Sequence, residues 1–333
     1  MMPTNSLWSQ PRPCRRPGGL WPRPGARLRV VQRLCGAGAI GLLTLLVCAP
    51  PGVQRAGPAP GGLPQRIVSL NLAADEIVLA LAPLERLTAL TYLADDPTFS
   101  NVAPQARLVP QKVRANAEQV MALRPDLLLV ATYTSATVKR LLRESGVPYL
   151  ELPQFKSVAG IQENILAVGQ AVGAAETAQA IVATMRQRLA QVQQRVARLP
   201  APRVLYYAGG GFTAGQHTTI GEMLTLAGGD NVALEAGVQG MKKLPPELLV
   251  WLNPAVIVVG GTPGKPGLRE GLLADPTLHT VAAVRTGRIV VLPRPFLNTL
   301  SQHIVTGVEA LAQALHPAAF ASQDEPGGGA YAE

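Results

Sequence analysis

From Arg66 onward, short runs of consecutive apolar residues alternate with amphipathic stretches. "RIVSL" (66–70), "LTALTY" (87–92), "DLLLVA" (126–131) and "VPYLEL" (147–152) read as strands. Continuous apolar runs such as "DLLLVA" predict parallel strands covered on both faces. Between them, "AADEIVLALAP", "NAEQVMAL" and "SATVKRLLRESG" read as helices. Asn116 is the expected N-cap of the second, and Pro83 and Gly146 are stop signals. The alternation restarts at Arg203 with "RVLYYA", "TIGEMLTLAGG", "PELLVWL", "AVIVVGG", "GLREGLLAD", "RIVVLP" and "SQHIVTGVEALAQAL". Residues 157–199 are helical instead, with a break expected near Gly173. Apolar residues at Ile181, Met185, Leu189, Val192 and Val196 recur mostly three or four apart. A helix of about 25 residues rises roughly 37 Å and braces two lobes against large hinge closure.

The fold class expected is therefore α/β. Two small lobes carry mainly parallel sheets flanked by helices, joined by a long rigid helix. The boundaries are a lobe over 66–157, a bridging helix over 158–199 and a second lobe over 200–317. A Pro/Gly-rich tether over 50–65 precedes them and a disordered tail over 318–333 follows.

Charge changes this picture at the N-terminus only. The net charge is +9, but residues 1–63 hold eight arginines and no acid. That leaves 22 basic residues (30 − 8 = 22) against 21 acidic ones, so the body offers no nucleic-acid surface. The arginines precede the 16-residue apolar run "LCGAGAIGLLTLLVCA" (34–49), short for a membrane span. Residues 1–49 read as an export signal, and the location as periplasmic. All three cysteines, Cys14, Cys35 and Cys48, lie there, and Cys48 is a candidate lipid-anchoring site. The body has no thiol for disulfide, nucleophilic or metal chemistry.

One phrase occurs twice. "AEQVMALRPDLLLV" (117–130) and "PELLVWLNPAVIVV" (246–259) each place a glutamate seven residues before a proline. Glu118 and Glu247, like Pro125 and Pro254, stand 129 positions apart (247 − 118 and 254 − 125). First-turn glutamates are favoured by the helix dipole in any case. The matched pair within matched phrases asks for more.

Taken in order, "LRPDLLLV" (123–130), "GVP" (146–148), "TLAGGDNVA" (225–233) and "TGVEALAQAL" (306–315) resemble class III periplasmic substrate-binding proteins. These are the cobalamin, iron-siderophore and haem receptors of ABC importers, and the resemblance covers about 66–317. It implies a monomer that docks on a permease dimer by inserting Glu118 and Glu247 into one arginine pocket on each permease subunit. It implies a chelated-metal or corrinoid ligand, no catalysis and no resident cofactor or metal.

Ligands of open parallel sheets sit beyond the strands' carboxyl ends. The candidate loops are "YLADDP", "TYTS", "PQFKS", "AGGGFTAGQHT", "VQGMKKL" and "PRPFLNT". They carry Tyr92, Tyr133, Phe155, Phe212, Met241 and Phe296 in a chain only 4% aromatic. Such loops suit a flat or greasy ligand. His217, Lys242, Arg294 and His303 complete the candidate set, and Arg114, Lys156 and Lys243 are further cations for anionic groups. By the resemblance, Tyr92, Tyr133 and Met241 match cleft positions of cobalamin receptors, although an aromatic is usual at the last. The tyrosine of haem receptors is replaced here by "VPQKVRANAE" (109–118), which disfavours haem.

Other functions find less support. "GGGFTA" (209–214) fits a dinucleotide fingerprint, but its helix is expected too late to meet a pyrophosphate. A hydrolase would need a nucleophile elbow or a zinc-binding helix, and the chain has neither. Asp95-Asp96 is a carboxylate pair or simply turn chemistry. A non-transport binding or signalling module on the same fold stays open.

Overall fold

The computed structural model describes residues 62–114, 116–262 and 265–321. The expected signal over 1–49, Cys48 and most of the tether lie outside the described residues.

Five parallel strands build the first sheet: β1 (Ile67–Ser69), β2 (Leu87–Thr91), β3 (Gln111–Val113), β4 (Leu127–Ala131) and β5 (Tyr149–Leu152). Their spatial order is β3-β2-β1-β4-β5. Helices α1 (Leu72–Leu81), α2 (Ala103–Ala106), α3 (Ala117–Ala122) and α4 (Ala136–Glu144) connect them. Asn116 is the cap expected, accepting from the Gln119 N–H, and Ser135 likewise accepts from that of Val138. β4 is buried at every residue, as its unbroken apolar run requires.

After α5 (Val158–Val172) and α6 (Ala175–Val196), four parallel strands form the second sheet, in the order β11-β10-β6-β8. They are β6 (Arg203–Tyr206), β8 (Asp230–Asn231), β10 (Val256–Gly261) and β11 (Ile289–Pro293). β7 (Phe212–Ala214) and β9 (Met241–Lys243) pair antiparallel as a separate ribbon. The helices of this half are α7 (Thr219–Leu226), α8 (Pro246–Leu252), α9 (Leu268–Ala274), α10 (Ala282–Arg285), α11 (Arg294–Asn298), α12 (Ile304–Leu315) and α13 (Pro317–Phe320). α13 overlaps the expected tail, with the Phe320 ring under the Arg195 guanidinium. Ordered chain thus runs past residue 317. No described helix is long and apolar enough to cross a membrane.

The bridge is two helices, broken at Gly173 as expected. α5 stops at Gly173, whose φ of 77° favours glycine. α5 packs on α1 of the first lobe, and α6 packs on α5, α7 and α12. The helix pair crosses closely: a Cβ on Gly169 would stand 2.3 Å from that of Ala178. Arg186 on α6 reaches Gln162 of α5, while Arg188 pairs with Glu309 of α12. Half-exposed ion pairs contribute about 0–1 kcal/mol. Val182, Met185, Leu189, Val192 and Val196 are buried and contribute roughly 1.5–3 kcal/mol each. The apolar stripe, not the ion pairs, therefore fixes α6.

Strand alternation divides the core. Ile67, Leu127 and Leu129 join Val204, Val256 and Val258 in one apolar cluster that runs through α5 and α6 across both lobes. Val68, Leu128 and Val130 face a smaller cluster, as do Leu205, Ile257 and Val259 on the other lobe.

The repeated phrase has a repeated backbone. Glu118 and Glu247 are both the second residue of their helices, and both are exposed. Each helix ends in a left-handed non-glycine residue, Arg124 at φ 48° and Asn253 at φ 43°, followed by proline and a buried strand.

Candidate functional site

The carboxyl edges of the two sheets meet. Asn101, in the segment after β2, donates its Nδ2 to the Pro295 carbonyl just after β11 at 3.0 Å. Behind this contact lies a buried network around Glu76 of α1. Its carboxylate accepts from the Asn101 N–H at 2.8 Å, Asn101 Nδ2 at 3.0 Å, Thr299 Oγ1 at 2.7 Å and Ser301 Oγ at 2.5 Å. Gln302 Nε2 donates to the Glu76 carbonyl at 2.7 Å. At the start of α5, after β5, the Val158 N–H donates to Glu222 of α7 at 2.8 Å. Two opposed lobes are thus tied at two places, and their loops border the space between.

The first sheet reverses its winding between β1 and β4, the usual site of a ligand crevice. Asn71 follows β1 and caps α1 through Oδ1, while its buried Nδ2 has no partner among the described residues. Asp75, one turn on, is fully buried. It accepts from the Thr91 N–H and hydroxyl at the end of β2. Burial pushes its carboxyl up from 3.8 to about 7, against the pull of the Thr91 and Ser69 hydroxyls. Tyr133, after β4, lies 61% exposed with its ring 5.2 Å from that of Phe155. Its hydroxyl is pushed above the ordinary value, by burial first and by Asp75 second. Tyr92, after β2, is 45% exposed, with the Arg114 guanidinium 3.9 Å above its ring.

On the second lobe, three glycines after β6 turn the chain into the β7–β9 ribbon. Gly210 and Gly211 both have φ near 80°. The register pairs Phe212 with Lys243, Thr213 with Lys242 and Ala214 with Met241. Opposed residues of an antiparallel pair share a face, and faces alternate along each strand. Phe212, Met241 and Lys243 are therefore on one face, all exposed, and Lys242 is on the other beside Thr213. The Thr213 hydroxyl is held by the Tyr206 carbonyl at the end of β6.

The remaining candidates divide. Arg294 begins α11, exposed, close enough to Tyr206 to act on its hydroxyl. Phe155 and Phe296 are half-buried. His217 is exposed, with φ 62°, at the turn before α7. His303 abuts the Glu76 network: its N–H donates to Ser301 Oγ. Desolvation foremost, with Arg188 adding to it, holds its imidazole below its ordinary value despite the nearby Glu76. No cluster of three or more metal-ligating residues exists among the described residues. Asp96 caps the Thr98 N–H and Asp95 stands 3.9 Å from Lys112, so this pair is turn chemistry. The glycines of "GGGFTA" lead into β7, and a helix begins only at Thr219, so nothing there holds a pyrophosphate. Asn71, Asp75 and Glu76 escaped the sequence reading. Asp75 and Glu76 are one polar pair in an otherwise apolar helix, and both acids are buried.

Comparison with known proteins gives a consistent result. The family model described as "Periplasmic binding protein" matches residues 67–295. A cobalamin-binding protein of Halobacterium salinarum is 26% identical over 306 residues, covering 90% of this chain and 80% of that one. An uncharacterized ABC transporter substrate-binding lipoprotein of Bacillus subtilis is 24% identical, over 77% of this chain and 82% of its own. Among solved structures, the apo periplasmic heme-binding protein of Roseiflexus sp. RS-1 superposes with a TM-score of 0.66 at 28% identity. The match covers 77% of this chain and 99% of that one.

Proposed function

Because the chain belongs to the periplasmic binding protein family, we propose that it captures a corrinoid- or iron-siderophore-type ligand between its lobes and delivers it to an ABC importer. The observation that carries this reading is the placement of Tyr92, Tyr133, Phe212 and Met241. All four are large side chains left exposed on the loops and ribbon that follow the strands of the two sheets. The cobalamin-binding relative favours the corrinoid. Phe155 would back Tyr133, and Arg294, Phe296, Lys242, His217 and His303 would form the outer part of the seat. The family works outside the cytoplasmic membrane, and the intact mass of the exported chain separates a lipid on Cys48 from a free cleaved N-terminus.

Titration with cyanocobalamin, a ferric siderophore and haem, read by absorbance and native mass spectrometry, tests the ligand class. Alanine at Tyr92, Tyr133 or Phe212 is expected to weaken the ligand that binds by about fivefold each, since an aromatic contact contributes on the order of 1 kcal/mol beyond its area. Parent-like affinity in all three variants would place the ligand elsewhere.

Glu118 and Glu247 are read as the permease-docking pair, on corresponding helices and without an ion-pair partner among the described residues. Arginine at both positions should abolish uptake while ligand affinity holds, because like charges would meet in each permease pocket. Uptake at the parent rate by that double variant would sink the docking role.

A further inference from the structure

The repeat extends beyond the docking glutamates. Arg114 lies four residues before Glu118, and Lys243 four residues before Glu247. The two cations are themselves 129 positions apart (243 − 114), the spacing of the glutamates, of the prolines and of the left-handed Arg124 and Asn253. The strands ahead of them differ, since β3 pairs parallel with β2 whereas β9 pairs antiparallel with β7. A cation is nonetheless found at the same step in each lobe, and each time beside an exposed aromatic ring. Arg114 stacks over Tyr92 at 3.9 Å, and Lys243 is directly opposite Phe212 on the ribbon.

Neither cation is spent on the protein. Lys112, Lys139, Arg188, Arg203 and Arg269 have acidic partners, but Arg114 and Lys243 form no ion pair among the described residues. Stacking occupies the face of a guanidinium and leaves its N–H edges free for an anion. Arg114 follows β3 at the carboxyl edge of the first sheet, and Lys243 ends β9 on the ribbon that the glycine turn after β6 begins.

We infer that Arg114 and Lys243 are a matched pair of anion receivers, one per lobe, and that the ligand is a conjugated plate bearing acidic groups on opposite edges. Tyr92 and Phe212 take the plate, and the two cations take its edges. This rests on the ligand-capture reading above and narrows it from corrinoids in general to those with free peripheral carboxylates. The same chemistry excludes a ligand whose rim is wholly amidated as the preferred one.

Two probes with one corrin ring separate these cases: dicyanocobyrinic acid, whose side chains are carboxylates, and dicyanocobinamide, whose side chains are amides. The parent protein should bind the acid about tenfold more tightly at low salt, with the preference shrinking in 1 M salt as exposed charges are screened. Arg114→Gln and Lys243→Gln should each lower the ratio of the two affinities about threefold, and the double variant should bring it near one. Arg114→Lys and Lys243→Arg should keep most of the preference, which a merely structural role for either side chain would not require. Equal affinity of the parent for both probes overturns the inference and leaves corrinoid capture standing. A loss shared equally by both probes in the variants overturns it as well. Binding of neither probe overturns the corrinoid reading itself, and this inference with it.

Discussion

Glu76→Ala is expected to cost on the order of 4 kcal/mol of stability in urea denaturation. The carboxylate accepts from four donors, and Thr299 and Ser301 are essentially inaccessible to water. Removing the acceptor leaves their hydroxyls and the Asn101 N–H buried without it, at about 1–3 kcal/mol for each group left unsatisfied. The two hydroxyls still lie 2.9 Å apart and can satisfy one another in part, which keeps the estimate below the full sum. Glu76→Gln should cost less, because one oxygen still accepts while the amide confronts the remaining donors. Two of the donors sit 223 and 225 residues away on the second lobe, so hydrogen exchange at Asn101 should also accelerate. A loss below about 1 kcal/mol would show that the network is incidental to the joining of the lobes.

The second large effect is a pH dependence. Asp75 holds its proton up to about pH 7 in the fold and releases it near 3.8 in the unfolded chain. Between those values the folded state binds more protons, so stability falls as pH rises through the window and levels off above it. At 1.36 kcal/mol per unit, the full fall is on the order of 4 kcal/mol. Asp75→Asn cannot ionise and should flatten the profile between about pH 4 and about pH 7. Parallel pH profiles for parent and variant would exclude Asp75 as the origin. The consequence reaches the ligand site, since the same carboxyl holds Thr91, the residue before Tyr92.

The regular elements were legible because they depend on neighbours in the chain. Unbroken runs such as "DLLLVA" and a cap such as Asn116 declare themselves locally, and the structure follows them. The ribbon did not declare itself. β7 and β9 are three residues each, β9 is exposed throughout, and their pairing joins residues about thirty apart. Whether Lys242 or Lys243 shares a face with Phe212 is a matter of register, which sequence alternation alone does not supply. α12 was expected from Ser301 but begins at Ile304, because Ser301 and Gln302 are engaged by Glu76 from the other lobe. Nothing next to Glu76 in the chain marks it out, and only its distant partners reveal its place.

The cluster that passes from β1 and β4 through α5 and α6 to β6 and β10 gives the molecule its thermodynamic character. Halves that share a phrase do not share independence: each presents to the other an apolar face that water would otherwise cover. Cutting the chain between them would part α5, which packs on the first lobe, from α6, which packs on the second. The two lobes should therefore melt together, in one calorimetric transition whose enthalpy reflects the whole ordered chain, and neither half should be a soluble folding unit when expressed alone.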